Sequence, residues 1–290
     1  MASTVITGAS RGIGMATALV LARAGHKVYA TMRNPEGSAE LLQAIEEGLP
    51  IKVFTMDVNS DESVKKTIAA IQAETPVDVL VNNAGIERKG SVEELGLSVF
   101  REIMETNYFG AIRCIQAVMP QMRRRMSGCI INITSIAGRI ACSPFAPYTA
   151  SKYALEALTE ALAQETKMFN IRTAIVEPGI IDTVMTQVLS KTVNASHYPQ
   201  PRRWAGLVGA ALEKPVSPVL VGQKILEIIE SNTWILRHPV GPDAQPFLQW
   251  RSSMTDEQWV DWGSADDETW YKSIERDFGL NARSRAAGAD

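Results

Sequence analysis

The segment Thr4-Val5-Ile6-Thr7-Gly8-Ala9-Ser10-Arg11-Gly12-Ile13-Gly14 joins a β-branched run to a glycine-rich turn. Such a run is typical of a buried strand, and the helix-like segment Gly12–Ala24 follows it directly. Glycines between a strand and a helix allow a tight turn in which backbone N–H groups can approach a pyrophosphate at the positive end of the helix dipole. Because this turn lies in the first strand–helix unit of the chain, it is a strong signal for a site that binds such a ligand.

The rest of the chain continues the alternation that this unit begins. The runs that predict strands are Thr4–Thr7, Lys27–Thr31, Ile51–Met56, Val77–Val81, Cys129–Ser135, Ile171–Val176 and Thr233–Leu236. Helix-like segments separate them, among them Gly12–Ala24, Ser60–Thr75 and Val99–Arg125. This order predicts an α/β fold with a doubly wound parallel sheet of seven strands and helices on both faces.

The composition limits the class of protein. The chain has 290 residues, 46% hydrophobic content and a net charge of −3, so it can bury a large core and has no bias toward nucleic acid or anionic membranes. No stretch reaches the roughly 18 consecutive apolar residues of a membrane span, and the first apolar run is too short for a signal peptide. Cys114, Cys129 and Cys142 have neither an even number nor metal spacing, which favours free thiols and no metal site. We therefore expect a soluble, cytoplasmic protein.

Two later segments depart from the alternation. Asp182–Pro218 carries four prolines and no long apolar period, so we interpret it as a mobile insertion over the carboxyl edge of the sheet. Residues 254–290 hold nine Asp or Glu against four Lys or Arg. We expect one domain at 1–250, with a lid insertion at about 184–214, and an acidic, tryptophan-containing extension at 251–290.

Tyr148-Thr149-Ala150-Ser151-Lys152 carries the residues best suited to proton transfer. In a helix, the four-residue offset places Tyr148 and Lys152 on one face, where the lysine cation would lower the pKa of the phenol. The pair is then a candidate general acid or base, and a strand that ends at Ser135 would supply a hydroxyl beside it. This offset is common, and by itself it indicates only a half-buried ring beside a solvated lysine stem.

The glycine spacing TGxxxGxG and the motifs after it resemble the short-chain dehydrogenase/reductase family in its compact single-domain form. The matching positions cover roughly residues 1–185 and are Thr7–Gly14, Asp57-Val58, Asn82-Asn83-Ala84-Gly85, Asn107, Ser135, Tyr148, Lys152, Pro178-Gly179 and Thr183. All of them fall at the carboxyl ends of strands or line one crevice, where open α/β sheets bind ligands. The resemblance implies a Rossmann fold and a hydride transfer between nicotinamide and a secondary alcohol or ketone, or a primary alcohol or aldehyde.

The resemblance also implies a role for each matching residue. Tyr148 would be the general acid or base, Lys152 would lower its pKa and hold the nicotinamide ribose, and Ser135 would orient the substrate oxygen. Asn107 would hold a water that links Lys152 to solvent. The remaining positions would contact the cofactor: Gly8, Ser10, Arg11, Gly12, Ile13 and Gly14 at the phosphates, Asp57 and Val58 at the adenine, Asn83, Ala84 and Gly85 on the adenosine side, and Pro178, Gly179, Ile181 and Thr183 at the nicotinamide amide.

The end of the second predicted strand indicates which nicotinamide cofactor is used. NAD-selective Rossmann proteins place an Asp or Glu about 20 residues beyond the glycines, where it binds the ribose 2′-hydroxyl and repels a 2′-phosphate. Here Met32 holds that place, 18 residues after Gly14, and Arg33 follows it. Arg33 and Arg11 could form charge-assisted bonds to a 2′-phosphate, although either alone could be a solvated surface residue. We therefore predict NADP(H).

The substrate is less constrained by the sequence. In the family the pocket lies among segments that correspond here to Ile86-Glu87, Ala141–Phe145 and Val184–Trp204. Their apolar residues favour an apolar, bulky alcohol or ketone, and Arg237–Pro242 resembles the hydroxysteroid- and retinol-type members that have a longer C-terminal tail. The charged residues of the insertion are interpreted as a solvated surface rather than a carboxylate site: His197, Arg202 and Arg203.

The resemblance also predicts how the chain associates with copies of itself. Family members commonly associate through the helices that correspond to Val99–Arg125 and Pro147–Met168, which implies a homodimer or homotetramer, although Leu155, Leu158 and Leu162 can equally be intramolecular core. Two alternatives to the oxidoreductase can be told apart by specific features. A halohydrin-lyase-like enzyme would carry an arginine in place of Lys152 and lack the full glycine turn. A non-catalytic nucleotide-binding scaffold protein would dock partners through its C-terminal tail.

Overall fold

Seven parallel strands form one sheet in the order β3-β2-β1-β4-β5-β6-β7 in the computed structural model, which describes residues 1–191, 196–231 and 233–286. The strands are β1 (Ser3–Thr7), β2 (Lys27–Met32), β3 (Ile51–Thr55), β4 (Val79–Asn82), β5 (Gly128–Ile133), β6 (Ile171–Pro178) and β7 (Arg237–Val240). The predicted fold class is confirmed, and six of the seven strands lie within about two residues of their predicted bounds.

Helices cover both faces of the sheet. They are α1 (Gly12–Arg23), α2 (Ala39–Glu46), α3 (Asp61–Glu74), α4 (Leu97–Met104), α5 (Gly110–Arg125), α6 (Ala146–Lys167), α7 (Val184–Leu189), α8 (Gln200–Ala211), α9 (Val219–Glu230), α10 (Ala244–Ser252), α11 (Asp256–Ser264), α12 (Asp267–Phe278) and α13 (Ala282–Ala286). Successive residues of β1 point to opposite faces, so that Ile6 packs with α1, α2 and α9, and Val5 packs with α3, α5 and α6. No helix in the described ranges has the length and apolar composition that a bilayer crossing requires.

The apolar stripe of leucines predicted on α6 packs inside the chain. Leu155 and Leu162 are buried, and Leu158 packs against the cluster on the α3–α5–α6 face. The three cysteines are free. Cys114 is buried in the layer with α3, α5 and α6, and Cys129 is buried on the other face of the sheet, in the layer with α1, α2 and α9.

The seventh strand lies four residues later than predicted. Trp234 and Ile235 suggested a strand at Thr233–Leu236, but their side chains are 43% and 60% exposed and precede the sheet. The strand begins at Arg237, which pairs with Ile175 of β6. Pro239 lies inside the strand and lacks an N–H, which an edge strand tolerates because one side makes no ladder bonds.

Two prolines of the predicted insertion Asp182–Pro218 lie at the start of a helix. Pro199 is the N-cap residue of α8, and Pro201 lies in its first turn, where no N–H is needed. That the insertion is mobile stays a prediction. The side chain of Leu207 in α8 is fully buried. The lid interpretation also covers residues 192–195, which lie outside the described residues.

The tryptophans after Pro239 form an intramolecular cluster. Trp250 lies 4.9 Å from Trp262 and 5.5 Å from Trp259, measured between ring centroids, and Trp262 lies 5.6 Å from Trp270. Trp270 is fully buried and also contacts Trp204 of α8 at 6.3 Å. The last helices therefore pack on the insertion through aromatic contacts, instead of presenting these rings to a partner.

Arg203 was expected in a solvated surface, but its side chain is only 2% exposed. Its Nε donates to Asp267 Oδ1 at 2.7 Å, and one terminal nitrogen donates to the carbonyl of Ala265 at 2.8 Å. Arg202 pairs with the same carboxylate. These arginines connect α8 to α12 through the partly exposed Asp267 carboxylate. Removing that carboxylate would leave the buried Arg203 guanidinium without its counter-charge.

Candidate active site

The glycine turn follows β1 and is held from the end of β4. Gly8 and Gly12 have φ angles of +66° and +58°, which favour glycine. The side-chain amide of Asn83 donates to the carbonyls of Thr7 at 2.9 Å and Gly8 at 3.1 Å. A Cβ on Gly14 would lie 2.4 Å from Asn83 Nδ2. Asn83, expected beside the adenosine, thus fixes the turn with its own amide.

Gly14→Ala is expected to destabilise the protein, because the new methyl group would overlap both the Asn83 amide and the carbonyl oxygen of Gly8, 2.5 Å away. Overpacking of this kind typically costs about 1–3 kcal/mol. Gly37→Ala is the matched control, since a Cβ there meets nothing within 4 Å, and its effect should stay within about 0.5 kcal/mol. Urea unfolding of the two variants measures the difference; equal midpoints would contradict the close packing at Gly14.

The end of β2 lies beside this turn. The backbone N–H of Ala9 donates to the carbonyl of Thr31 at 3.1 Å, which ties the turn to the last residues of the strand. Met32 is 3% exposed and belongs to the core, whereas the side chains of Arg33 and Arg11 are exposed. Within the described chain neither guanidinium forms a salt bridge. Two free cations therefore flank a strand end that lacks a carboxylate.

The loops after β3 and β6 border the same crevice, where the strand order reverses between β1 and β4. Asp57 is half-buried and accepts a hydrogen bond from the N–H of Asn59 at 3.0 Å, and the side chain of Val58 packs in the core. Thr183 caps α7, and its methyl group would contact a Cβ on Gly12 at 3.4 Å. The glycine turn and the start of α7 are therefore in contact across the crevice.

Asn107 lies in a π-helical turn, Glu105–Phe109, between α4 and α5. Such turns often occur at functional sites, because the extra residue turns a side chain out of the regular ladder. The Asn107 amide donates to the Ile86 carbonyl at 2.9 Å and its Oδ1 accepts from the Ile86 N–H at 2.8 Å. It also donates to Ser151 Oγ at 3.0 Å, and Ser151 donates to the Tyr148 carbonyl at 2.7 Å.

Tyr148, Lys152 and Ser135 are brought together at the carboxyl ends of β5 and β6. Lys152 is 5% exposed, and its Nζ lies 5.6 Å from the centre of the Tyr148 ring. The ammonium donates to the carbonyl of Ile133, the last residue of β5, at 2.8 Å. The Ser135 hydroxyl donates to the Pro178 carbonyl at 3.4 Å and accepts from the N–H of Ala137 at 3.1 Å.

Burial shifts both titratable groups toward their neutral forms. It raises the pKa of Tyr148 to about 12, against which the hydrogen bond with Ser135 acts. It lowers the pKa of Lys152 to about 8. The sequence-based expectation was that Lys152 would lower the Tyr148 pKa. In this structure desolvation of the phenol raises its pKa, Ser135 is the group that acts to lower it, and the Lys152 ammonium is directed to the Ile133 carbonyl.

The segment after β6 is held by a residue that the sequence did not single out. The N–H of Gly179 donates to the Val240 carbonyl at 2.9 Å, and the N–H of Ile180 donates to Asp243 Oδ2 at 2.7 Å. A Cβ on Gly179 would lie 2.3 Å from Asp243 Oδ1, so only glycine fits. Ile181, expected at the nicotinamide amide, is 2% exposed and its side chain lies in the core.

This arrangement of turn, crevice and Tyr–Lys–Ser cluster matches a known family. The family model for short chain dehydrogenase matches residues 2–194. The chain belongs to the short-chain dehydrogenase/reductase family. The resemblance in the motifs is thereby confirmed, and the chain is assigned to an oxidoreductase family whose members use nicotinamide cofactors.

Relatives of this short-chain dehydrogenase differ in what they act on. Retinol dehydrogenase 8 of Bos taurus is 38% identical over 202 residues, which are 68% of this chain and 64% of that protein. The uncharacterized oxidoreductase YusZ of Bacillus subtilis (strain 168) is 33% identical over 270 residues, 90% of this chain and 95% of its own length. The crystal structure of a variant actinorhodin polyketide ketoreductase with NADPH has a TM-score of 0.75 at 29% identity, covering 84% of this chain and 97% of that one.

Segments expected to line the substrate pocket of this dehydrogenase contact one another. The Phe145 ring lies 5.6 Å from Trp204 of α8. The indole N–H of Trp259 in α11 donates to the carbonyl of Ala141 at 3.0 Å. Val184 and Val188 of α7 are about half exposed. The C-terminal helices thus fix the loop that precedes α6, and α7 presents apolar side chains.

Two residues of this site were missed by sequence reasoning. Ser151 lies inside the quoted Tyr–Lys segment, but an alcohol at that position gave no sign of its bond to Asn107. Asp243 follows the quoted segment Arg237–Pro242 by one residue, and its contact with Ile180 spans 63 positions. A carboxylate that close to a Gly-Pro turn was the only available signal.

Proposed function

We propose that this short-chain dehydrogenase transfers a hydride between NADP(H) and a carbonyl compound or the corresponding alcohol, with Tyr148 as general acid or base. The observation that carries the proposal is the convergence of the Tyr148 ring, the Lys152 ammonium and the Ser135 hydroxyl at the sheet edge that the glycine turn also borders. The nicotinamide supplies the hydride when it is bound; the chain supplies orientation and the proton.

The residues at the start of α1 fit a pyrophosphate. Arg11, at the N-cap, makes no side-chain capping bond, and the first turn contains no acidic residue. The first N–H groups of a helix have no partner within the helix, so they remain available to an anion. Gly12, with its φ of +58°, lets the backbone approach closely. These features support Gly8, Ser10, Ile13 and Gly14 as phosphate-binding positions.

The charged side chains at the end of β2 are the reason for proposing NADP(H) over NAD(H). Arg33 and Arg11 are exposed, and Met32 turns into the core, so the strand end offers cations without a competing carboxylate. Guanidinium groups form strong, often bidentate bonds to phosphate. The related ketoreductase, 29% identical, is solved with NADPH, which supports the same choice.

The protonation state of Tyr148 suits it to the role of proton donor. Burial keeps Tyr148 protonated at neutral pH, the form that can donate to a carbonyl oxygen as it gains negative charge. Ser135 would hold the same oxygen, and Lys152 would stabilise the phenolate after proton transfer. Asn107, through Ser151, connects α6 to the π-helical turn and fixes the position of these groups.

The proposed substrate is apolar beside its reacting group, since α7 exposes Val184 and Val188, and the Phe145 ring of the loop 141–145 packs on Trp204. A homodimer or homotetramer built on α5 and α6 and a cytoplasmic location are proposed with it. The scaffold alternative loses its main support, because the tail tryptophans pack within the chain.

The test is a spectrophotometric panel of ketones and aldehydes with NADPH, spanning aromatic, steroid, retinoid and sugar carbonyls. Oxidation of NADPH that requires one of these carbonyls supports the enzyme. If NADPH binds but no carbonyl in the panel is reduced, the scaffold function is favoured instead.

A further inference from the structure

The loop that follows β4, residues 85–90, is clamped around the crevice at three points. Asn107 binds both backbone groups of Ile86. The N–H of Gly90 donates to the carbonyl of Pro144 at 2.9 Å, which joins the loop to the segment before α6. A third clamp reaches α7, where Lys89 Nζ donates to the carbonyl of Leu189 at 2.6 Å. Glu87 lies between these clamps, so its backbone position is fixed.

The Glu87 carboxylate is enclosed and incompletely paired. Its Oε1 atom is shielded from solvent and has no hydrogen-bond partner among the described residues. Arg88 and Lys89 are its nearest cations along the chain, yet within those residues neither forms a salt bridge with it: Arg88 pairs with Glu102, and Lys89 donates to backbone carbonyls. A buried carboxylate oxygen without a donor is costly, and in a folded protein such an oxygen calls for a specific explanation, such as a catalytic role or a bound group.

The loop that carries Glu87 begins beside the proposed proton donor. A Cβ on Gly85 would lie 3.8 Å from Lys152 Nζ, and Asn107, which binds Ile86, also binds Ser151 in the Tyr148–Lys152 segment. The Glu87 charge in turn contributes to the raised pKa of Tyr148. Burial raises the pKa of Glu87 itself to about 7, against the cations of Lys89 and Arg88. A ligand group that donates a hydrogen bond to Glu87 Oε1 would satisfy this buried oxygen.

We propose that Glu87 is a substrate-binding residue, and that its Oε1 accepts a hydrogen bond from a hydroxyl or ammonium group close to the reacting carbon of the substrate. The inference rests on the proposed function and deepens it. The substrate class it names is an apolar carbonyl compound with a neighbouring hydrogen-bond donor, such as a hydroxyketone or an aminoketone, rather than a plain hydrocarbon ketone.

The test compares acetophenone, α-hydroxyacetophenone and α-aminoacetophenone as substrates with NADPH. Because the substituents also change carbonyl reactivity, the informative quantity is how each kcat/KM ratio changes on mutation. Glu87→Leu removes the acceptor. It should therefore reduce the kcat/KM of each substituted ketone, relative to that of acetophenone, by about tenfold or more, as expected for a hydrogen bond to a charged group. Glu87→Gln keeps an acceptor oxygen but loses the charge, so the amino ratio should fall more than the hydroxy ratio.

Glu102→Gln is the matched control, because Glu102 is half exposed on α4 and pairs with the adjacent Arg88 outside the crevice. Its ratios should equal those of the parent enzyme. If Glu87→Leu lowers kcat/KM for all three ketones in parallel, Glu87 has only a structural role and the inference fails while the proposed function stands. If the parent enzyme reduces another carbonyl of the wider panel but none of these three ketones, the inference fails and the proposed function stands. If it reduces no carbonyl of the panel, the proposed function fails as well.

Discussion

Tyr148→Phe is expected to lower kcat for carbonyl reduction by about 10²–10⁴-fold while the protein keeps its fold and its cofactor affinity. Only the hydroxyl is lost, and the ring can keep its packing against Lys152 on α6. Burial holds the phenol protonated, and its hydroxyl hydrogen-bonds with Ser135, so it is placed to supply a proton there. Steady-state rates with NADPH and a ketone from the panel measure the loss, and circular dichroism measures the fold.

Tyr153→Phe is the control for this experiment. Tyr153 lies on the same helix, but its side chain is 42% exposed, and removing its hydroxyl should leave kcat within about twofold, as for surface changes generally. If Tyr148→Phe keeps activity within a few-fold of the parent enzyme, Tyr148 does not transfer the proton, and the role proposed for the Tyr–Lys pair is wrong.

A preference for NADPH over NADH of at least about 100-fold in kcat/KM is the second large effect. Each charge-assisted bond from Arg33 or Arg11 to a 2′-phosphate contributes about 1.5–3 kcal/mol. The burial of Met32 decides which variant should test this preference. Met32→Asp would bury a charge, because Met32 is 3% exposed, so Arg33→Asp is the better variant. It removes one cation and adds a carboxylate in a solvated position.

Arg33→Asp should reduce the NADPH to NADH ratio by about 100-fold or more, mainly by raising the KM for NADPH. Arg23→Ala is the control, since Arg23 is exposed at the opposite end of α1 from the glycine turn. Parity between the two cofactors in the parent enzyme, or an unchanged ratio in Arg33→Asp, would show that the arginines do not select the cofactor.

The sheet could be predicted from the sequence because its signals are local. Each buried parallel strand is a short β-branched run, and the alternation with helices leaves few topologies. The same logic failed at the sheet edge, where an apolar pair, Trp234 and Ile235, lies outside the strand and Arg237-His238-Pro239-Val240 forms it. An edge strand is less buried, so its composition carries a weaker signal.

Most of the residues that the motifs indicated lie at one edge of the sheet, because the segments that follow neighbouring parallel strands meet there. Val58 and Ile181 are exceptions, since their side chains lie in the core. What the sequence did not reveal depends on contacts between distant segments. Asp243 reaches Ile180, and Trp204 of α8 packs on Trp270 of α12. From composition alone, Trp270 belonged to an acidic tail that could dock partners. Burial likewise reversed the expected pKa shift of Tyr148, since desolvation depends on the whole surrounding structure.

The central claim is that the chain transfers a hydride from nicotinamide to a carbonyl carbon. The most direct test uses NADPH that carries deuterium at the transferred position, together with a ketone that the panel shows to be reduced. We predict one deuterium at the carbinol carbon of the alcohol product, on a single face, and almost none with Tyr148→Phe in the same time. An alcohol without deuterium, or NADPH consumption without any alcohol, would contradict the account.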